Sequence, residues 1–489
     1  MYDAAHLGHG RTYTLFDAMV RVMRTVFNKQ VVYAMNVTDV DDKIIAKSKA
    51  TNRTIQSISQ QYENEFFQDL KLIGVERPTV VPRATEYIQE MIQFISRLHR
   101  KGFAYRTSDG SVYLDTIKAK DAIGYPGPLG GKREIALCTE EPGQDKRNPS
   151  DFALWKGSAE QIKSNDNWDA RPVGGYGRPG WHLECSAMVD ATLGRVRGDG
   201  RIDMHGGGID LCFPHHTNER CQSQLLLVEE GGGGNAQREW ATIFCHTGHV
   251  TVDQTKMSKS LGNFSTIRGV LQSGQLTPRQ LRLLFLYSSK YSSGLEWNTG
   301  CVERVRALDV QLDAAMRPVA RSASVQSFGK EALSDDDIRF IHTLAEVRES
   351  VDVAFADDFD FPKVFDGLQI VAKELIKRST TSTSVNSLDA QARKYVGSTL
   401  SILGFGGDDN GVLPSFGQSP SSSTGADKDE TITNAAIDEL VRFRAKVRTA
   451  AKSGDVKGVL QACDALRNDN PLATIQDLKD GSSVWKRKQ

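Results

Sequence analysis

Amphipathic helices alternate with a short apolar run near the start of the sequence, and this alternation limits the choice of fold more than any other feature. A strand-like run at residues 31–35 lies between two sets of apolar residues at helical spacing. The first set is Leu15, Phe16, Met19, Val22, Met23 and Val26, and the second is Ile55, Ile58, Tyr62, Phe66, Leu70 and Ile73. Helix, strand and helix in succession are typical of a parallel α/β sheet, so an α/β fold is expected.

Two local signals predict a turn and a helix start. Asp109-Gly110 separates the apolar residues 103–105 from 112–114, which predicts a β-hairpin. Residues 277–280 read threonine, proline, arginine, glutamine, a capping box with proline at the first helical position. A helix is therefore expected to begin at this point.

Composition divides the rest of the chain into five segments. They are a loop-like insertion at 121–150, short strands with glycine-rich turns at about 155–260, helices at about 302–403, a linker at 406–430 and a small helical tail at 433–489. The linker is rich in glycine, aspartate, serine and proline and has few apolar residues, which predicts disorder.

The charges of the 489-residue chain exclude some classes of protein. Lys and Arg total 61 and Asp and Glu total 61, so the formal charge is 0 and a globally basic nucleic-acid coat is excluded. The longest apolar run, 283–287, is far shorter than the ~20 residues that cross a bilayer, so no membrane partner is expected. Seven cysteines without a C-x-x-C pair and the lack of a leader pattern predict a soluble, cytoplasmic protein, with a mitochondrial form left open.

His6-Leu7-Gly8-His9 stands directly before the first helix. Free N–H groups at a helix start suit an anion, glycine allows close backbone approach, and imidazoles donate to phosphate oxygens. Taken alone, the motif favours the simpler interpretation, a helix that begins with two exposed histidines.

A second motif, Lys256-Met257-Ser258-Lys259-Ser260, places two lysines in a loop of small residues. Lysines in such a loop can reach a triphosphate and stabilise the charge that develops on a leaving pyrophosphate. A solvated charged loop is the alternative for this motif by itself, but its occurrence ~250 residues after the histidine motif is far more specific.

Cys185, His215 and Glu219 form a candidate metal site. His215 and Glu219 are four residues apart, so on a helix they face the same side. A thiolate, an imidazole and a carboxylate are all ligands that zinc accepts. Spacing alone leaves His216 as an equal candidate, and burial without any metal is the alternative for all three residues.

The histidine and lysine motifs together resemble the signature pair of class I aminoacyl-tRNA synthetases, and the chain resembles the cysteinyl-tRNA synthetase family over nearly its whole length. Further matching stretches are residues 36–43, 151–156, 180–188, 206–219, 246–249 and 482–486. The resemblance weakens at about 120–150 and 404–432, and residues 32–35 and 482–486 are closer to the eukaryotic branch.

The resemblance implies a Rossmann-like parallel sheet with an inserted connective region, an α-helical tRNA-binding bundle and a small C-terminal domain. The implied divisions are a catalytic domain at 1–300 with the insertion at about 75–150, the bundle at 301–405, a disordered linker at 406–432 and an anticodon-binding domain at 433–489. The implied partners are tRNA(Cys), ATP and L-cysteine, and the oligomeric state is left open.

The resemblance also implies one zinc ion per chain, held by Cys185, His215, Glu219 and a further cysteine. In the family that cysteine stands in a Cys-Gly-Pro-Thr stretch just before the Tyr-Asp that is Tyr2-Asp3 here. This sequence lacks it, together with the strand expected to carry it, so a chain shortened at its N-terminus is expected. Zinc is expected to select the substrate thiol, since a thiolate is a softer ligand than a hydroxyl.

The family's reaction implies roles for further residues, with Mg²⁺ accompanying ATP. The expected catalytic residues are His6, His9, Lys256 and Lys259. Gly8, Gly206, Gly208 and Asp210 are expected to join them in binding ATP, and Tyr2, Thr38 and Trp181 to line the cysteine pocket. Core packing is the equal alternative for Trp181.

Two other functions share these motifs. One is a cysteine ligase of the same fold that acts on an amino sugar, against which the basic tail that ends in Trp485-Lys486-Arg487-Lys488 argues. The other is a catalytically impaired, truncated form that binds tRNA, against which the intact lysine loop and metal ligands argue.

Overall fold

The computed structural model shows a chain of two compact units, Met1–Gln418 and Ser419–Gln489. The structure describes residues 5–129, 145–158, 166–228, 239–252, 255–256, 265–317, 333–381, 387–406, 416, 458, 473–477 and 483–487. Tyr2, Lys259 and all but two residues of the expected disordered linker lie outside these ranges, and for Lys256 only the backbone is described.

Helices predominate in these described ranges. They are α1 (Leu7–Thr25), α2 (Asp42–Thr51), α3 (Ile55–Leu72), α4 (Ile88–Arg100), α5 (Thr116–Ile123), α6 (Trp181–Val189), α7 (Arg195–Arg197), α8 (Ile209–Leu211), α9 (Thr217–Leu227), α10 (Ile267–Gln272), α11 (Pro278–Tyr287), α12 (Thr299–Met316), α13 (Asp335–Ala356), α14 (Phe361–Thr381) and α15 (Ser387–Ile402). No helix in the described part of the chain is long and apolar enough to cross a membrane.

The strands are short. They are β1 (Ala104–Arg106), β2 (Val112–Leu114), β3 (Phe152–Gly157), β4 (Trp168–Asp169), β5 (Tyr176–Pro179), β6 (Ile202–Gly208), β7 (Ala241–Thr247), β8 (Val250–Val252), β9 (Thr255–Lys256), β10 (Leu295–Trp297), β11 (Ala473–Asp477) and β12 (Ser483–Arg487).

Parallel pairing, expected from the helix–strand alternation, joins β6 to β7 and β8 to β10. The predicted strand at 31–35 forms only isolated parallel bridges, Ala34 to Val80 and Val37 to Arg83. Pro82 explains why the pairing stays short, because proline has no N–H to donate to a ladder.

The predicted hairpin is confirmed, with β1 and β2 antiparallel about Asp109-Gly110. Gly110 has a φ of +84°, a conformation that glycine adopts without strain. This hairpin belongs to a five-stranded sheet in the order β1-β2-β3-β5-β4. Strand β5 of that sheet leads directly into α6. The sheet therefore positions the helix that carries Cys185.

Helix α1 lies at the centre of the first unit. Its apolar face, which includes Leu15 and Met19, packs in one continuous core with helices α11 to α15. Arg11 is fully buried on this helix and donates to the carbonyl oxygens of Gly248 at 2.5 Å, Lys290 at 3.0 Å and Ser293 at 2.6 Å. Helix α1 is thus fixed to segments that are distant in sequence.

The helical region begins as the capping signal predicts. Thr277 accepts from the Gln280 N–H at 3.2 Å, and the Gln280 side chain accepts from the Thr277 N–H at 3.1 Å. Arg378 joins three helices of this region, donating to Asp337 and to Asp389, each at 2.6 Å. The helices therefore form a bundle tied together by buried polar contacts.

Two short strands lie within the segment for which a helical tail is predicted, whereas Gly458 in the same segment is helical. Strands β11 and β12 pair antiparallel, with Ile475 opposite Trp485. In β11, alanine and isoleucine alternate with threonine and glutamine, and this period of two favours a strand over a helix.

Candidate functional site

A buried cluster of metal-binding side chains surrounds Glu219. Helix α6 supplies Cys185, a π-helical turn at 212–216 supplies His215 and His216, α9 supplies Glu219, and β6 supplies His205. The Nε2 atoms of these three histidines lie 2.9 Å (His205), 3.5 Å (His215) and 3.9 Å (His216) from Glu219 Oε2. One carboxylate thus faces three imidazoles.

The three ligands expected from the sequence are brought together. The donor atoms of Cys185, His215 and Glu219 all lie within 4.8 Å of one another. His216, which spacing left as an equal candidate, instead lies with His205 and Glu219 in a second set with the same 4.8 Å limit. The geometry therefore groups His215, and not His216, with the Cys185 thiol.

His205 and Asn36 were missed by the sequence reasoning. His205 directly precedes Gly206 at the end of β6, and this position was the one signal that could have identified it. Asn36 donates from Nδ2 to Cys185 Sγ at 3.3 Å and belongs to a stretch matched only as a motif. Neither residue has the sequence spacing of a metal ligand.

Further histidines hold the imidazoles of the cluster in place. His215 Nδ1 lies 2.9 Å from His182 Nδ1, and His216 Nδ1 lies 2.8 Å from His246 Nε2. Each contact uses the nitrogen that faces away from Glu219 and so leaves the Nε2 atom directed at the carboxylate. Such outer contacts are typical of histidines that bind metals.

The electrostatics of the cluster favour a cation. Burial and the Glu219 carboxylate raise the pKa of the Cys185 thiol well above its usual value. Burial opposes ionisation of Glu219, but His205 and His215 outweigh it and hold the pKa of this carboxyl below its usual value. Burial lowers the pKa of His215 below its usual value and lowers the pKa of His216 to about 2. With His215 and His216 neutral, the buried Glu219 carboxylate carries a negative charge that a metal ion would balance.

His6 and His9 form the start of α1. His6 is the N-cap and accepts at Nδ1 from the His9 N–H at 3.2 Å, while the His9 ring accepts from the His6 N–H at 3.4 Å. The two rings stack with centroids 3.7 Å apart. A Cβ on Gly8 would lie 2.8 Å from the His6 ring, so glycine is required between them.

The segment that follows the lysine motif pairs with this helix start. The Leu7 N–H donates to the Ser265 carbonyl at 3.1 Å, and the Ile267 N–H donates to the Ala5 carbonyl at 3.2 Å. On the other side, the backbone of Lys256 belongs to β9, which pairs with β8. Residues 265–267, just after the motif, are therefore held beside the first helix although ~250 residues separate them in sequence.

The glycine-rich end of β6 lies between α1 and the cluster. A Cβ on Gly206 would lie 2.6 Å from the Phe16 ring, and one on Gly207 would lie 3.0 Å from the His216 ring. A Cβ on Gly208 would lie 2.5 Å from the Asp210 carboxylate, whose residue is exposed. The backbone of residues 206–208 is therefore closely packed against Phe16 and His216, whereas the neighbouring Asp210 is exposed.

Trp181 is placed beside the candidate metal ligand His215. Its ring stacks on His215 with centroids 4.2 Å apart and an interplanar angle of 26°, yet the residue is 48% exposed. This exposure is inconsistent with ordinary core packing. Thr38 is half-buried, two residues after Asn36, on the segment that contacts Cys185.

Comparison with protein families and known proteins finds one consistent group. Residues 1–307 match the family model of the tRNA synthetases class I (C) catalytic domain. The chain is 32% identical to the cysteine–tRNA ligase of Encephalitozoon cuniculi, with 100% of this chain and 93% of that protein covered.

Relatives named for two compartments are similar to the chain. It is 32% identical to the cytoplasmic cysteine–tRNA ligase of Dictyostelium discoideum, over 99% of this chain and 72% of that protein. It is 33% identical to the probable mitochondrial cysteine–tRNA ligase of Xenopus tropicalis, over 99% of this chain and 84% of that protein.

Among solved structures, the methionyl-tRNA synthetase of Mycobacterium tuberculosis bound to methionyl-adenylate is similar in fold. The TM-score is 0.57 at 12% identity, with 82% of this chain and 87% of that chain covered. Identity this low supports the fold alone, and it agrees with the α/β class expected from the sequence.

Proposed function

The chain belongs to the cysteine–tRNA ligases, class I (C) tRNA synthetases, and on that premise we propose that it joins L-cysteine to tRNA(Cys) through a cysteinyl-adenylate. The observation that carries the proposal is the convergence of Cys185, His215 and Glu219 donors within 4.8 Å, in a buried site next to a half-exposed tryptophan. The enzyme is a ligase, and the coupling to ATP and the use of a metal are the proposed steps.

The residues present fit a zinc ion. Sulfur, imidazole nitrogen and carboxylate oxygen are its usual protein ligands. Glu219 Oε1 is buried and accepts no hydrogen bond within the described residues, so a buried acceptor is left for a cation. A zinc ion held there would bind the substrate's sulfur and so favour a thiol over a hydroxyl.

The first step needs only positioning and charge stabilisation from the protein. A carboxylate oxygen of cysteine bonds to the α-phosphorus of ATP, the bond from that phosphorus to the β-phosphate oxygen breaks, and pyrophosphate leaves with its Mg²⁺. We assign His6 and His9 to the phosphates, supported by their place at the start of α1. Lys256 and Lys259 are assigned to the triphosphate, supported by the hydrogen bonds that join residues 265–267, just after the lysine motif, to that helix start.

The second step transfers the cysteinyl group. A terminal ribose hydroxyl of tRNA attacks the carbonyl carbon, the bond to the phosphate oxygen breaks, and AMP leaves. Gly8 is assigned to close backbone approach by ATP, while Gly206, Gly208 and Asp210 are assigned to the adenosine. This second assignment is supported by the exposed position of Gly206 and Asp210 between α1 and the metal cluster.

Recognition of cysteine is assigned to Thr38, Trp181 and Tyr2. The stacking of Trp181 on a metal ligand supports its place in the pocket, and Thr38 follows the Asn36 that contacts Cys185. We further assign the bundle at 301–405 and the domain at 433–489 to tRNA binding. The cytoplasmic and mitochondrial relatives leave both compartments compatible with this function, and the reduced cysteines favour the cytoplasm.

Cysteine-dependent ATP–pyrophosphate exchange tests the proposal, with zinc content measured on the same sample. We expect exchange with cysteine and not with serine, and we expect Cys185→Ala to lower kcat/KM for cysteine by at least about 100-fold, because the thiolate is a metal ligand. Cys221→Ala is the matched control, since Cys221 is buried on α9 outside both donor sets.

The acceptor is tested separately. Formation of cysteinyl-tRNA would support the proposal. Exchange without tRNA cysteinylation would favour the amino-sugar ligase, and tRNA binding by a folded protein without exchange would favour the impaired form.

A further inference from the structure

Glu219 belongs to two overlapping donor sets, and the mechanism proposed above uses only one of them. The second set consists of one donor atom each from His205, His216 and Glu219, and these atoms lie within 4.8 Å of one another. It contains two imidazoles and a carboxylate and no sulfur. This combination is a frequent ligand set for zinc and for other divalent ions of the first transition row.

The geometry of the second set resembles that of the first. His205 Nε2 lies 2.9 Å from Glu219 Oε2, closer than His215 at 3.5 Å. His216 is held through its opposite nitrogen by His246, as His215 is held by His182. In each set, one imidazole is held through Nδ1 by another histidine, and this directs its Nε2 toward the same oxygen, Glu219 Oε2.

Burial makes the second set a strong candidate for a cation. The side chains of His216 and Glu219 are 3% and 1% exposed, and that of His205 is 16% exposed. A buried carboxylate needs a counter-charge or hydrogen bonds, and Glu219 Oε1 receives no hydrogen bond from the described residues. A divalent ion between these three residues would supply the missing charge.

We propose that the site holds one divalent cation in either of two positions that share Glu219. The first is the thiolate position at Cys185 and His215, and the second is the nitrogen–oxygen position at His205 and His216. One ion is expected at a time, because the oxygen nearest to the imidazoles is the same Oε2 in both sets and two cations on one oxygen repel strongly. The second position retains the ion when the Cys185 sulfur is not available.

This inference concerns the metal alone and does not need the catalytic activity proposed above. Absence of ATP–pyrophosphate exchange would argue against the proposed function and leave the two positions standing. Loss of the metal ion from a folded Cys185→Ala variant would argue against the two positions and leave the proposed function standing.

Cobalt substitution of the full-length chain provides the test. In the Co²⁺-loaded wild-type protein we expect absorption from thiolate-to-cobalt charge transfer together with ligand-field bands. In Cys185→Ala we expect the charge-transfer absorption to disappear while the ligand-field bands and about one ion per chain remain after dialysis. His205→Ala alone should keep the charge-transfer absorption, since the thiolate position is intact.

The double variant Cys185→Ala/His205→Ala should bind Co²⁺ at least about 10-fold more weakly than Cys185→Ala, because both positions have then lost a ligand. Cys221→Ala is the control for removing a buried thiol and should match the wild type. A folded Cys185→Ala protein without bound metal overturns the proposal, as does equal metal affinity of the single and double variants. If Cys185→Ala does not fold, Cys185→Ser with and without His205→Ala makes the same comparison.

Discussion

The solvent exposure of Trp181 distinguishes a role in substrate binding from a role in core packing. Trp155 and Trp240 are 0% and 1% exposed and belong to hydrophobic cores, whereas Trp181 is 48% exposed. Its contact is with the ring of His215, a proposed metal ligand. An exposed aromatic face beside a metal site is available to a small substrate.

Replacing Trp181 should therefore affect substrate binding more than folding. We expect Trp181→Ala to raise KM for cysteine in the exchange assay about 10-fold, which corresponds to about 1.4 kcal/mol, the energy of an aromatic contact. The thermal midpoint should change little, because half of the side chain is already in solvent. An unchanged KM combined with a large loss of stability would instead restore the core-packing interpretation.

The candidate metal site was predictable from the sequence only in part. The i, i+4 spacing of His215 and Glu219 follows from helix geometry, so sequence alone could pair them. The choice between His215 and His216 depends on the rings of His182 and His246, which lie on other elements. His205 has no fixed sequence spacing to the others, and only the parallel pairing of β6 places it there.

At the scale of elements, the packing of β6 against α1 determines where glycine is needed. A Cβ at Gly206 would lie 2.6 Å from the Phe16 ring, which is shorter than a van der Waals contact between two carbon atoms. The ring belongs to a helix that Arg11 fixes from the other side, so it has little freedom to move away. Glycine at this position lets the strand end reach the helix.

Gly206→Ala is expected to lower the free energy of unfolding by about 1–3 kcal/mol through overpacking. The double variant Gly206→Ala/Phe16→Leu should be less destabilised than the sum of the two single variants, as urea unfolding will measure. Gly300→Ala is the control, since its Cβ would meet no atom closer than 3.4 Å. Additive effects of the two single variants would contradict a direct contact.

The start of α13 gives the bundle a defined dependence on pH. Hydrogen bonds from Ser334 and Arg378 lower the pKa of Asp337 from 3.8 to about 2. A carboxyl whose folded-state pKa is depressed stabilises the fold above its unfolded pKa, and the contribution is lost as the pH falls towards 2. The wild-type bundle should therefore weaken in acid.

Asp337→Asn should lower the stability by about 1–2 kcal/mol at pH 6, and the difference from wild type should be smaller at pH 3. Urea midpoints at several pH values measure both quantities. Asp336→Asn is the matched control, because Asp336 is exposed and, within the described part of the chain, its ion pair is with Arg339 on the same helix. A difference that stays constant from pH 6 to pH 3 would exclude this origin.

Elements with local signals were predictable, and those set by distant partners were not. The capping box at Thr277 and the turn at Asp109-Gly110 need only neighbouring residues, and both are confirmed. The run at 31–35 is apolar enough for a strand, but its partner segment contains Pro82 and the pairing stops at bridges. Strands β11 and β12 lie where a helix is predicted, because cross-strand pairs such as Ile475 with Trp485 form between separate segments.

At the scale of the whole molecule, the placed residues of the candidate site lie in the first compact unit. That unit, Met1–Gln418, also contains the core shared by α1 and the helices α11 to α15. The helical region is therefore packed as part of the same body as the site. The assignment of the second unit to anticodon binding stays a prediction.

Ending the chain after Gln418 should separate the two reaction steps. We expect the shortened protein to keep cysteine-dependent ATP–pyrophosphate exchange within about 3-fold, because the first unit has its own core. We expect the rate of tRNA cysteinylation to fall at least about 10-fold, since the loss of only about 1.4 kcal/mol of tRNA-binding energy is enough for a tenfold effect. Full-length protein assayed in parallel is the control. Unimpaired cysteinylation would show that residues 419–489 do not bind the tRNA.

The buried Arg11 has a consequence for synthesis on the ribosome. Its acceptors at Gly248, Lys290 and Ser293 are made 237 to 282 residues later in the chain. At a translation rate of roughly 5–20 residues per second, they follow Arg11 by about 12–56 seconds. During that interval the Arg11 guanidinium would be buried without its acceptors, which is energetically costly, so helix α1 cannot yet pack in its final position. The nascent chain therefore exposes the apolar face of α1, a natural target for chaperones, until nearly three hundred residues have been translated.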